Sequence, residues 1–128
     1  MGKKVVYNNC FGGFGLSGKA IKWLEENGRY DLREFISTKR KEIEADPDKF
    51  LSTDERLDYA VRYDFGKNGL LRHDVDLVRC VETLGREADG RFADLRIHEL
   101  TGNLYRIDEY DGLETVMEPE SYNYIYVE

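Results

Sequence analysis

The sequence predicts a single α+β domain: an N-terminal strand, helices packed on one face, and an antiparallel C-terminal β-meander. Two apolar runs at helical spacing point to it, Ala20-Ile21-Leu24 and Leu77-Val78-Val81-Leu84. Beyond residue 92 the pattern changes to strict alternation, broken by glycine-containing turns. The 128 residues are 41% apolar, enough for one packed core but not for two.

Lys4-Val5-Val6-Tyr7-Asn8 is β-branched and aromatic, which suits a strand. A glycine-rich turn follows, from Cys10 to Leu16. Ser17 stands at an N-cap position, and Asn27-Gly28 closes the helix. Residues 30–71 predict a helical insert of two polar helices. Leu32, Phe35 and Ile36 open the first, and Pro47 ends it. Ser52 with Glu55 has capping-box spacing ahead of Leu57, Ala60 and Val61. Phe65-Gly66-Lys67-Asn68-Gly69 predicts a turn. Asp74 is the expected N-cap of a third main helix, and Gly85 its end. Ala93, Leu95 and Ile97 then share one strand face, opposite Asp94, Arg96 and His98. Thr101-Gly102-Asn103 leads into Leu104–Tyr110, and Asp111-Gly112 has the chemistry of a two-residue hairpin turn into Leu113–Met117. Residues 119–128 alternate again and predict an extra C-terminal strand.

Charge is unevenly distributed. With 19 basic and 26 acidic side chains the chain carries a net −7. Residues 104–128 hold seven acids and one base, leaving the first 103 nearly neutral. That balance disfavours direct nucleic-acid binding and suits a basic protein partner. The longest uncharged stretch, Val5 to Ser17, is too rich in glycine and asparagine for a membrane span. The start lacks the apolar run of a signal peptide, and Tyr7 does not fit a myristoylation signal. Two cysteines and two histidines support neither a disulfide scaffold nor a zinc site, so no cofactor or metal is expected. The expected location is cytoplasmic.

The glycine loop is the first candidate site. Strand, glycine turn and helix in succession place backbone N–H groups at a helix start, where anions bind. Gly13 to Gly18-Lys19 matches phosphate-loop spacing, but Ala20 stands where a magnesium-binding hydroxyl is needed, which argues against a nucleotide hydrolase. The expected function is therefore non-catalytic binding of a small anionic, nucleotide-like ligand. Gly12, Gly13 and Gly15 would allow close backbone approach, Ser17, Lys19 and Arg72 would contact phosphate, and Phe14 would stack. The glycines would equally serve a tight turn alone. Phe11 and Phe14 also suit the core.

The second candidate is the acidic, tyrosine-rich C-terminal surface, as an inhibitory contact with another protein. Its anchors would be Tyr105, Glu109, Tyr110, Asp111, Tyr122, Tyr124 and Tyr126, since tyrosine is favoured at interface hot spots. The same strands would alternatively pair two copies into a homodimer. A third candidate is a cysteine-dependent enzyme using Cys10, which needs a base from His73 or His98. Arg72, Arg79 and Arg86 recur every seven residues, suited to phosphate or to balancing the acidic strands.

Three segments resemble a family of small bacteriophage and prophage proteins. They are Val5–Ser17 with Ala20-Ile21; Arg72-His73-Asp74 through Leu84-Gly85; and Gly90-Arg91-Phe92-Ala93 through Ile107-Asp108-Glu109-Tyr110-Asp111-Gly112, Glu114 and Val116. Val75 departs from the proline this family tends to have, and Thr101-Gly102-Asn103 replaces a longer turn. Residues 30–71 and the tail from Pro119 are specific to this chain. The resemblance implies viral origin and expression inside a bacterial host; small phage proteins without a catalytic constellation often act on host defences, and that is the role expected for this ligand- or protein-binding chain. It implies no established activity.

Overall fold

A computed structural model describes residues 3–119. It has the expected α+β class. Strand β1 (Lys4–Asn8) leads into helix α1 (Gly18–Asn27), α2 (Tyr30–Ala45) and α3 (Thr53–Tyr59), the last continued by a π-helical turn over Ala60–Asp64. Helix α4 (Val75–Leu84) precedes β2 (Leu95–Glu99), β3 (Arg106–Tyr110) and β4 (Leu113–Met117). The Ser17 side chain accepts from Ala20 N, and Asp74 accepts from Asp76 N and Leu77 N. The Ser52–Glu55 capping box is closed in both directions. These caps occupy N–H groups that a helix start leaves unpaired. No helix among the described residues is long and apolar enough to cross a membrane.

The strands do not form one meander. β1 pairs antiparallel with β2, while β3 and β4 form a separate hairpin. Leu100 explains the break: its N–H donates to Lys3 O and its side chain is buried, which extends the β1–β2 ladder. The next two residues are then clasped by Glu118, whose carboxylate accepts from Thr101 N at 2.8 Å, Thr101 Oγ1 at 2.9 Å and Gly102 N. The chain therefore leaves β2 and enters a second layer. Asp111 (φ 51°) and Gly112 (φ 90°) both take positive φ at the hairpin turn, as its sequence requires. The extra strand expected over residues 119–128 lies almost wholly outside the described residues.

Three layers result. Val6 faces the helices and packs with Leu16, Ile21, Leu24, Leu77 and Leu95. Val5 faces the opposite way, against Leu100 and Val116, with Tyr7, Tyr105 and Ile107 at the margin. Both valines are fully buried, so the β1–β2 ribbon is covered on both faces, by helices and by the β3–β4 hairpin. The insert joins the main core through Leu32, Ile36, Ile43, Leu57 and Val61.

One polar junction ties the layers together. Glu114 is buried on β4, accepts from Asn8 N at 2.8 Å, and forms a two-point ion pair with Arg72 at 2.6 and 2.8 Å. The Arg72 guanidinium lies 3.6 Å above the Phe14 ring centroid. Buried Asn8 uses both ends of its amide: Nδ2 donates to Cys10 O and Gly112 O, and Oδ1 accepts from Asp94 N. Removing one member of such a buried pair leaves a charge without compensation, at about 3–5 kcal/mol. We predict that Glu114→Ala lowers Tm by roughly 10–15 °C. Arg72→Met with Glu114→Met should lose less than that single change, as thermal denaturation will show. A double variant less stable than Glu114→Ala would contradict the assignment.

Glu118 gives the fold a pH signature. Its carboxyl is held at about 2, down from 4.5, by the hydrogen bond with His98 first, then by Thr101 N–H against a small opposing effect of burial. A depressed carboxyl stabilises the fold above its unfolded value and loses that contribution as pH falls toward the folded one. Wild-type Tm should therefore fall between pH 4.5 and about 2 more steeply than that of Glu118→Gln. Parallel Tm profiles for the two proteins would refute this.

Candidate functional site

The glycine loop lines a cleft of about 600 Å³. Gly12, Gly13, Phe14, Gly15 and Ser17 form one wall. Asp54, Glu55, Asp58, Tyr59 and Arg62 of the insert form the other, with Leu51 and Phe92 at its edge. Five of the seven residues expected to bind a small ligand thus meet at one cleft. Lys19 and Arg72 do not line it. Lys19 pairs with Glu87, and Arg72 is committed to Glu114.

The loop is held by its surroundings. Gly90 N donates to Gly15 O, Ser17 N to Ala88 O, and Asn9 N to Asp94 O. A Cβ on Gly12 would stand 1.8 Å from Phe92 O, so this position admits no side chain without backbone movement. A Cβ on Gly112 would meet Phe11 O at 2.5 Å and Gly13 N at 2.7 Å, so the hairpin turn packs directly on the loop. The Asn-Cys-Phe-Gly-Gly loop and the Asp-Glu-Tyr-Asp-Gly turn, far apart in sequence, are therefore one structural unit.

The chemistry of the cleft differs from a phosphate site. Leu16 N donates to Asp58 Oδ1 at 3.0 Å, so an internal carboxylate takes a position that a bound anion would use. A Cβ on Gly18 would lie 2.2 Å from Asp54 Oδ2, which places a second carboxylate against the first residue of α1. Ser17 Oγ donates to Glu87 O and accepts from Ala20 N, leaving it occupied as a cap. Burial pushes the Asp58 carboxyl up from its ordinary range, opposed by the Arg62 guanidinium and then by Leu16 N–H. Arg62 grips Asp58 through two bonds of 3.0 Å and lies 5.1 Å from the ring centroids of both Tyr59 and Tyr63.

The other expected positions separate. Phe14 packs against the main core under Arg72, as loop aromatics often do, whereas Phe11 is exposed. Tyr105 is half-buried and its hydroxyl sits 2.6 Å from His73 Nδ1, so it is tied into the second core. Glu109 accepts from Gly112 N within its own turn. Tyr110 and Asp111 are exposed at the hairpin tip. Tyr122, Tyr124 and Tyr126 lie outside the described residues. Cys10 Sγ contacts Asn8 Oδ1 and Phe92 O, while His73 is bonded to Tyr105 and His98 to Glu118, so no imidazole reaches the thiol among the described residues. Buried Cys80 has its thiol pushed up to about 12 by desolvation and is inert packing.

The insert contributes half of the cleft, a role its sequence did not announce. The available signal is Tyr59 and Tyr63, four residues apart on the outer side of a helix whose inner side is Leu57, Ala60 and Val61. No protein-family model, curated protein or solved structure matches this chain.

Two glycines distinguish a phosphate loop from a packed turn. Gly12→Ala should cost about 2–3 kcal/mol, because the obstacle is backbone. Gly18→Ala should stay within ~1 kcal/mol of wild type, since only the Asp54 side chain must turn aside and alanine favours the helix. Urea denaturation of both variants measures this, and equal losses would contradict it.

Proposed function

We propose that this is a non-catalytic binding protein whose ligand is another protein, engaged across the cleft between the glycine loop and α3. The observation that carries the reading is the Leu16 N–H to Asp58 bond, with Asp54 beside Gly18. The anion position at the start of α1 is served by the chain's own carboxylates, and the two expected phosphate-binding cations, Lys19 and Arg72, are paired elsewhere. Beside its carboxylates the cleft exposes Leu51, Tyr59 and Phe92, and exposed apolar clusters of this kind mark contact surfaces.

A free phosphorylated ligand retains one support. Arg91 lines the same cleft and joins no ion pair among the described residues. The resemblance to phage proteins adds, within the same proposal, that the partner belongs to the bacterial host and its defences. Cys10 chemistry is not favoured, since among the described residues His73 is bonded to Tyr105 and His98 to Glu118.

Native mass spectrometry of the protein purified from bacterial cells separates these readings. The expected result is a bound polypeptide that is lost in the Leu51→Ser, Tyr59→Ser variant. Release of a phosphorylated small molecule in near-stoichiometric amount would overturn the proposal.

A further inference from the structure

We infer that the partner presents a basic, arginine-bearing segment to the acidic and aromatic surface built by residues 42–64. The inference rests on the partner-binding reading above and names the chemistry that the surface recognises.

Residues 42–64 hold eight acids and three bases, a net of −5 out of −7 for the whole chain. The same stretch carries Phe50, Leu51, Tyr59 and Tyr63, which together with Phe92 expose between 41% and 89% of their surface. These groups are contiguous. Leu51 and Tyr59 line the glycine-loop cleft and also a second cleft of about 390 Å³ on the α2 side, where Asp64 lies. The Tyr59 and Tyr63 rings stand 5.7 Å apart, centroid to centroid.

Several acids on both this surface and the C-terminal hairpin are already engaged; here Glu42 pairs with Lys39, Asp48 accepts from Phe50 N and Leu51 N, Glu55 accepts from Ser52 N, and Asp58 pairs with Arg62. On the hairpin, Asp108 pairs with Arg106, Glu109 caps its turn, and Glu114 is consumed by Asn8 and Arg72. Asp54 and Asp64 accept no hydrogen bond and enter no ion pair among the described residues. They flank two exposed tyrosines whose faces suit a guanidinium, and Arg62 already lies beside both rings, 5.1 Å from each centroid. Arginine combines the charge that Asp54 and Asp64 complement with a planar group that stacks on tyrosine; lysine has only the charge. Oppositely charged surfaces of this kind set partner choice and association rate, and the exposed aromatics supply anchoring area.

The π-helical turn adds to the geometry. Leu70 N bonds to Val61 O, and a Cβ on Gly69 would stand 1.8 Å from Arg62 O, so the following loop packs on the widened turn. That packing fixes the backbone carrying Arg62, Tyr63 and Asp64.

A titration followed by amide chemical shifts tests this. The probes are a peptide repeating Arg-Leu-Arg-Tyr and its counterpart with citrulline in place of arginine. Saturable shifts confined to residues 51–64 and 91–92 are expected with the arginine peptide. Binding should weaken roughly tenfold with citrulline, and similarly in Asp54→Asn, Asp64→Asn, with the folded spectrum retained. Equal binding of both peptides at these residues would overturn the basic-segment inference and leave the partner-binding reading intact. Shifts spread equally over Asp108–Glu114 would overturn it too, because acidity alone would then suffice. Unchanged binding in Leu51→Ser, Tyr59→Ser would remove the partner-binding reading as well.

Discussion

Glu114 sits where three separated parts of the chain must agree. Its carboxylate takes the Asn8 N–H and the Arg72 guanidinium at once, and Arg72 lies flat on Phe14. A buried carboxylate is costly unless each lone pair is answered, so the hairpin settles where β1 and the segment ahead of α4 meet it. Asn8 then closes the arrangement by bonding Gly112, at the tip of the same hairpin, and Cys10, at the start of the glycine loop. The shape of the loop depends on this junction as well as on its own glycines.

That dependence gives residues far apart in sequence one physical role: Asn8, Phe14, Arg72, Gly112 and Glu114 are all spent on joining the layers. The insert over residues 30–71 stands outside this junction and supplies the acidic and aromatic half of the cleft. Rigid elements thus hold the frame, and the cleft is completed by a segment placed upon it.

Local order was legible and distant pairing was not. Ser17, Ser52 with Glu55, Asp74 and Gly85 mark helix ends through bonds within a few residues, so sequence alone places them. Asp111-Gly112 specifies its hairpin for the same reason. The β1–β2 pairing joins Lys4 to Glu99, and no neighbouring residue encodes that register. It follows from Val5 and Val6 both needing cover, which only a ribbon between two layers provides. The commitment of Lys19 to Glu87 was equally invisible, because the two are brought together by packing of α1 on the turn after α4.

The phosphate-loop spacing from Gly13 to Lys19 shows where motif and chemistry part. Spacing describes a backbone path, and the path is present: strand, glycine turn, helix. An anion site also needs vacant N–H groups and a free cation, and both are set by what packs nearby. Here α3 lies across the helix start, putting Asp58 on Leu16 N and Asp54 against Gly18. The partial positive charge of the α1 N-terminus is thereby answered from within the fold. An external phosphate would have to displace carboxylates tethered to the core by Leu57 and Val61, whereas a cationic side chain would add to the acids already there.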